Sequence, residues 1–166
     1  KETKDFFNGK KVIVTGGGGF IGSHVVEKVI SLGASVIVPS RHGISDFLGS
    51  VRNDIEIRIC DLADKAQTLK ALGGADVVLH LAADIGGLEY NINHPASIFD
   101  KNMRMGLNVL DGARANGVGR ILLCSSACVY PRNCEVPTPE EAGFKGEPEP
   151  TNSGYGWSKR MLEFLG

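Results

Sequence analysis

Tyr155 and Lys159 stand four residues apart near the end of the sequence. On a helix that spacing puts both side chains on one face. A free tyrosine, with a pKa of about 10, is a poor base at neutral pH. A nearby ammonium stabilises the phenolate and lowers that value, which makes the pair a candidate proton-transfer device. Ser126 and Cys128 form a second constellation, two residues apart. In an extended segment their side chains face the same way. A thiolate is an adequate base for an acidified C–H once its pKa is lowered. The alternative for Cys128 is a small buried hydrophobe, which is how Cys60 and Cys124 read.

A tyrosine–lysine pair alone is common on helices, and its meaning depends on what surrounds it. The run Thr15-Gly16-Gly17-Gly18-Gly19-Phe20-Ile21-Gly22 lies directly between a β-branched stretch and a helical pattern. In a dinucleotide fingerprint the first glycine, Gly16, permits the tight turn. The second, Gly19, lets a pyrophosphate approach the backbone, and the third, Gly22, lets helix pack on sheet. The helix that begins at Phe20 and Ile21 presents free N–H groups and a positive dipole end. An oxidised nicotinamide would add a second positive charge beside the tyrosine.

The ribose-reading position at the end of the next strand holds Pro39-Ser40-Arg41-His42 in place of an acid. No carboxylate stands there to repel a 2′-phosphate, and Arg41 offers a charge-assisted fork to bind one. NADP(H) is therefore expected over NAD(H), with NAD(H) use left open; the alternative makes Arg41 a solvated loop residue. Asp61, just after the third strand, is placed to accept from the adenine amino group, or else is a turn-forming acid.

These groups need elements to hold them, and the hydrophobic pattern supplies an alternation of strand and helix. Val12 to Val14 reads as a buried strand, and Ile21, Val25, Val26, Val29 and Ile30 as one helical face stopped by Gly33. Strands follow at Ser35 to Val38, Ile55 to Ile59, Val77 to Leu81 and Arg120 to Ser125. Helices are predicted around Ala63 to Leu72, from Pro95 to about Asn116 with Gly117 as the stop, and from about Tyr155 onward. Pro131 to Gly154 reads as a loop. The class is α/β: a doubly wound parallel sheet, the Rossmann fold, with strand order 3-2-1-4-5.

Composition narrows the function classes. The 166 residues carry a formal net charge of -1 and 42% hydrophobic residues, so no nucleic-acid or membrane partner is expected. Glycine is in excess at 22 of 166, about twice the usual ~7%, and it concentrates where strands turn into helices. The four cysteines form no CxxC pair and have no histidine at a zinc spacing, so no metal site is expected. Reduced thiols, a polar N-terminus and the lack of a long apolar run suggest a cytoplasmic protein.

Taken together, the residues resemble the extended short-chain dehydrogenase/reductases that act on nucleotide-diphosphate sugars. The resemblance rests on Thr15-Gly16-x-x-Gly19-x-x-Gly22, His80-Leu81-Ala82-Ala83, Asn102, Ser125-Ser126-Ala127-Cys128-Val129-Tyr130 and Tyr155-x-x-x-Lys159, in the family's order. Within that family the chain is most similar to the GDP-L-fucose synthases, with the GDP-mannose 3,5-epimerases also similar. Ile85-Gly86-Gly87, Asn93-His94-Pro95-Ala96, Pro131 and Glu149-Pro150-Thr151-Asn152 add to it.

The resemblance implies a role for each matched position. Gly16, Gly19, Phe20, Ile21 and Gly22 would bind the pyrophosphate, and Asp61 with Leu62 the adenine. Ala82 and Ala83 would form the loop under the pyrophosphate and nicotinamide ribose, and Leu81 and Asn102 would also belong to the cofactor site. Ser126 would hydrogen-bond the reacting sugar oxygen, Tyr155 would transfer the proton, and Lys159 would bind the nicotinamide ribose and tune the tyrosine. Cys128 would exchange a proton at the carbon beside a 4-keto group. The implied substrate is a GDP-sugar, converted by epimerisation and then reduction at C4. A recycled-cofactor epimerase or 4,6-dehydratase is an alternative, as is a chain that binds dinucleotide without catalysis. Family members form homodimers and continue well past the tyrosine–lysine helix, whereas this chain stops seven residues after Lys159. Residues 1–166 are thus expected to be a truncated dinucleotide-binding domain lacking its last strands, the C-terminal substrate domain and the second acid/base partner of Cys128. His94 is expected to cap a turn or face solvent, and does not replace that partner.

Overall fold

The computed structural model describes residues 2–166. Five parallel strands carry the architecture: β1 (Lys11–Thr15), β2 (Ser35–Ser40), β3 (Ile55–Ile59), β4 (Val77–His80) and β5 (Arg120–Leu123). Their order is β3-β2-β1-β4-β5, as the alternating pattern predicts for a right-handed doubly wound sheet. The register places Val12 beside Val36 and Val77, and Thr15 beside His80. Val12, Ile13, Val14, Val36, Ile37, Val38, Val77 and Val78 are all buried. Unbroken burial along a strand is what a parallel sheet covered on both faces requires.

Six helices accompany the strands among the described residues: α1 (Glu2–Phe7), α2 (Phe20–Ser31), α3 (Lys65–Ala71), α4 (Leu88–Asn93), α5 (Pro95–Ala115) and α6 (Ser153–Leu165). The chain divides into two compact units. The first runs to Ala82 and resumes from Asn108 to Leu122; the second comprises Ala83–Leu107 and Leu123–Gly166.

In the first unit, Val12, Val14, Val36, Val38, Val77 and Leu79 meet Val26 and Val29 of α2 and Leu48 in one cluster. Helix α3 is capped by Asp64, whose side chain accepts from the Gln67 N–H at 2.9 Å. The second half of α5 packs on α3: Asn116 Nδ2 donates to the Leu69 carbonyl at 2.9 Å, and Asn108 Nδ2 to the Leu62 carbonyl at 2.9 Å. In the second unit, the start of α6 lies against the start of α5, with Gly154 facing the Pro95 carbonyl.

Several expectations need correction. Helices α1 and α4 have no counterpart in the sequence pattern: α1 buries no residue and α4 only Asn91, so neither writes a clear apolar periodicity. Strand β5 ends at Leu123, two residues early. The stretch Pro131 to Gly154, read as a loop, contains 3₁₀ turns at Glu140–Phe144 and Pro150–Asn152, and α6 begins at Ser153. Turns this short bury too little to impose a period.

Candidate active site

The first unit holds the glycine turn. Gly16 has φ +71°, and a Cβ there would stand 2.8 Å from the Ala82 amide nitrogen, so only glycine fits. Gly22 is closer still: a Cβ would overlap the Gly16 carbonyl oxygen. Helix α2 is capped by Gly19, which offers no side chain to its first N–H groups. The arrangement is a backbone cradle at the start of a twelve-residue helix, exposed at Gly19 and at Phe20 and Ile21 beside it. It suits a phosphate by both dipole and donors.

The polar support of this cradle is a pair that sequence reasoning left without a role. Thr15 Oγ1 and His80 Nδ1 lie 2.7 Å apart, both fully buried, and the Ala82 N–H donates to the same hydroxyl at 3.2 Å. The signal was present in the sequence, since Thr15 and His80 open two of the motifs. Their pairing needs the β1–β4 register to be visible.

The remaining first-unit candidates fall at strand ends. Ser40 is half-buried and its hydroxyl accepts from the His42 N–H at 3.3 Å; Arg41 is exposed. Asp61 is exposed and accepts from the Ala63 N–H at 3.0 Å, so one of its oxygens forms a turn. Leu62 is buried, and Leu81 packs beside the core. Cys60 is buried, and burial pushes its thiol pKa up, as a structural cysteine requires.

The second unit gathers the proton-transfer candidates. Tyr155 and Lys159 lie on α6, with the Lys159 ammonium 5.5 Å from the centre of the Tyr155 ring. Lys159 is buried and donates to the Cys124 carbonyl at 2.8 Å. Burial lowers the lysine pKa and pushes the Tyr155 phenol up to about 12, with Cys124 and Cys128 adding in the same direction. The lowering expected from the ammonium is not realised: desolvation sets the direction of the shift. A further positive charge at the phenol is what would reverse it.

Ser126 is extended and caps the 3₁₀ turn Ala127–Val129, its hydroxyl accepting from the Cys128 N–H at 3.2 Å. Cys128 therefore sits in a turn and not in the extended segment assumed from its spacing. The same-side argument falls, because the side-chain hydrogen bond of Ser126 bends the chain at once. Cys124, read as buried, is exposed just beyond the end of β5.

Other placements in this unit are support. Asn102 is buried and its amide is fully used: Oδ1 accepts from the Asp84 N–H at 2.9 Å, while Nδ2 donates to the Asp84 and Ile98 carbonyls at 2.7 and 2.8 Å. It holds the loop after Ala83, itself exposed, from both sides. His94 is exposed, ends α4 and stacks on Tyr90. Sequence reasoning also missed a polar chain. The Gly86 N–H donates to Asn91 Oδ1 at 3.0 Å and Asn91 Nδ2 to Asn152 Oδ1 at 2.8 Å. Asn152 donates in turn to Glu149, which pairs with Arg132 at 2.7 Å. No helix among the described residues is long and apolar enough to cross a membrane.

Known proteins are similar to this chain in sequence and fold. The GDP-L-colitose synthase of Yersinia pseudotuberculosis is 30% identical over 161 residues, covering 93% of this chain and 47% of that protein. GDP-mannose 3,5-epimerase 1 of Oryza sativa subsp. japonica is 32% identical over 163 residues, covering 93% and 41%. Among solved structures, a GDP-L-fucose synthetase from Naegleria fowleri superposes with TM-score 0.73 at 29% identity, covering 95% of this chain and 43% of that one. A UDP-glucose 4-epimerase from Thermotoga maritima, solved with UDP-glucose, gives 0.78 at 30% identity, covering 93% and 49%. The chain spans about half the length of the relatives it matches. The NAD dependent epimerase/dehydratase family model matches residues 12–165, and the chain belongs to that family.

Proposed function

We propose that the whole protein is an NAD(P)-dependent epimerase/reductase of a nucleotide-diphosphate sugar, with a GDP-sugar as the favoured substrate. The observation that carries this reading is the face of α6. There Tyr155 and buried Lys159 share one surface, and the Ser126–Cys128 turn is seated against the same helix at Gly156. The GDP-sugar names of relatives such as the colitose synthase and the mannose epimerase support the substrate class.

The glycine cradle from Gly16 to Gly22 fits a pyrophosphate, and the dinucleotide, when bound, would accept or donate hydride. Ser40 and Arg41 would face the adenosine ribose, and Arg41 favours a 2′-phosphate, hence NADP(H) over NAD(H). Ser126 would hold the reacting sugar oxygen by a hydrogen bond. Tyr155 would give or take the proton at that oxygen. Lys159, fixed to the Cys124 carbonyl, would orient the nicotinamide ribose and supply part of the positive charge that the phenol needs.

Cys128 would act at the carbon beside the keto group. Its thiolate takes the C–H proton, the C–H bond breaks, and the electron pair moves onto the keto oxygen as an enolate. Return of a proton to the other face completes epimerisation and requires a second acid, which we assign to chain beyond Lys159. The test is to incubate the full-length protein with a GDP-4-keto-6-deoxyhexose and NADPH. Reduction at C4 with consumption of NADPH is expected. A product formed without net NADPH consumption would instead make the protein a recycled-cofactor epimerase or dehydratase. Tighter binding of NADH than of NADPH would sink the 2′-phosphate assignment.

A further inference from the structure

Arg160 follows Lys159 on α6 but points elsewhere, and its surroundings are unusual for a cation. It is only 2% exposed. Its guanidinium carbon lies 5.0 Å from the Trp157 ring centre and 5.5 Å from that of Phe144. One terminal nitrogen donates to the Gly146 carbonyl and the other to the Val129 carbonyl. Both partners are neutral backbone oxygens, and Nε has none. Burying a guanidinium on carbonyls and ring faces is costly, and burial lowers its pKa. A side chain held this way fixes geometry, since its planar fork meets two acceptors at once.

What it fixes is the turn that carries Cys128. Val129 is the last residue of that turn. Cys128 itself is held at both ends of its backbone, its N–H donating to Ser126 Oγ and its carbonyl accepting from the Glu149 N–H at 3.3 Å. The same carbonyl lies where a side chain at Gly156 would be, so helix and turn meet backbone to backbone. Arg160 closes the set from one helical turn further along. A turn of three residues has little cohesion of its own, and these contacts from outside decide where the thiol sits.

We infer that Arg160 is a positioning residue that locks the Cys128 turn onto α6 and so sets the access and direction of the thiol. Its consequence for proton transfer rests on the function proposed above, but its geometric part does not. Lysine cannot reproduce it, because one ammonium cannot span both carbonyls in a plane.

The test is iodoacetamide labelling of this chain, read cysteine by cysteine by peptide mass spectrometry across pH 6 to 10. In Arg160→Met the Cys128 rate is expected to rise at least fivefold and its pH profile to shift, while Cys134 stays within twofold. Arg160→Lys is expected to recover less than half of the effect. A Cys128 rate and profile matching wild type in a folded Arg160→Met chain would overturn the inference. A cooperative thermal melt read by far-UV circular dichroism reports folding; if Arg160→Met does not fold, Arg160→Lys is read instead, and a Cys128 rate and profile matching wild type there overturns the inference. In the full-length protein, Arg160→Met is expected to slow solvent exchange of the substrate C–H tenfold with NADPH affinity unchanged. Absence of exchange in the wild type would refute the function of Cys128 and leave the labelling result standing.

Discussion

Lys159 donates its ammonium to the Cys124 carbonyl at 2.8 Å, and that bond, more than any link to the Tyr155 hydroxyl, fixes the lysine in the fold. Cys124 opens the segment that leads to Ser126 and Cys128, so α6 is tied to that segment through its own candidate cation. Held there at 5.5 Å from the centre of the tyrosine ring, the ammonium does not offset the burial of the phenol.

Tyr155 should therefore titrate near 12 in the chain without dinucleotide. A raised pKa stabilises the fold at all pH below the ordinary value of about 10, and that contribution is lost as pH climbs from 10 to 12. Phenolate absorbance near 295 nm, taken as the difference between wild type and Tyr155→Phe, measures it. Addition of NADP⁺ is expected to move the titration downward. A titration already near 10 in the free chain would contradict the burial argument.

Gly22→Ala should damage the first unit directly, because the new methyl meets the Gly16 carbonyl. Overpacking of this kind costs about 1–3 kcal/mol, and any relief must come from moving the turn. We expect a lower Tm and at least a tenfold loss of dinucleotide affinity, read by thermal melts and fluorescence titration. Wild-type affinity in this variant would mean that the turn does not bind the cofactor.

Glu149 is held at a pKa of about 2 by hydrogen bonds from Thr151, Arg132 and Asn152. A depressed carboxylate pKa stabilises the fold above its ordinary value near 4.5, and the contribution disappears as pH falls from there toward 2. The stability gap between wild type and Glu149→Gln should be widest at pH 6 and should close by pH 2. Urea denaturation at pH 6, 4 and 3 tests this, and a gap that does not narrow would refute it.

Asn102→Ala should remove every tether that the amide makes to Asp84 and Ile98. An unsatisfied buried backbone group costs roughly 1–3 kcal/mol. Hydrogen exchange at the Asp84 amide is expected to accelerate at least tenfold, with exchange along β1 unchanged. Normal protection of Asp84 in the variant would return Asn102 to a direct cofactor role.

Much was legible before any coordinates. Apart from α1 and α4, strand and helix order followed from hydrophobic period, and the sheet order from the handedness of parallel crossovers, because both are local or topological rules. The placement of Gly16, Gly19 and Gly22 in one turn and of Tyr155 and Lys159 on one helix was legible for the same reason, since it follows from spacing along one turn or one helix face. Cys128 was legible as a candidate but misplaced in conformation, since the choice between extended chain and 3₁₀ turn was made by the Ser126 side chain.

Tertiary structure alone decided the rest. The Thr15–His80 pair depends on strand register, the Lys159–Cys124 bond on how α6 packs beside the segment that follows Leu123, and the Arg160 lock on three segments converging. Even the sign of the Tyr155 shift is of this kind, because sequence supplies the neighbouring lysine but not the burial that sets the shift. Spacing carries chemistry over one turn or one strand; beyond that distance, solvent exclusion and backbone contact determine what each side chain is able to do.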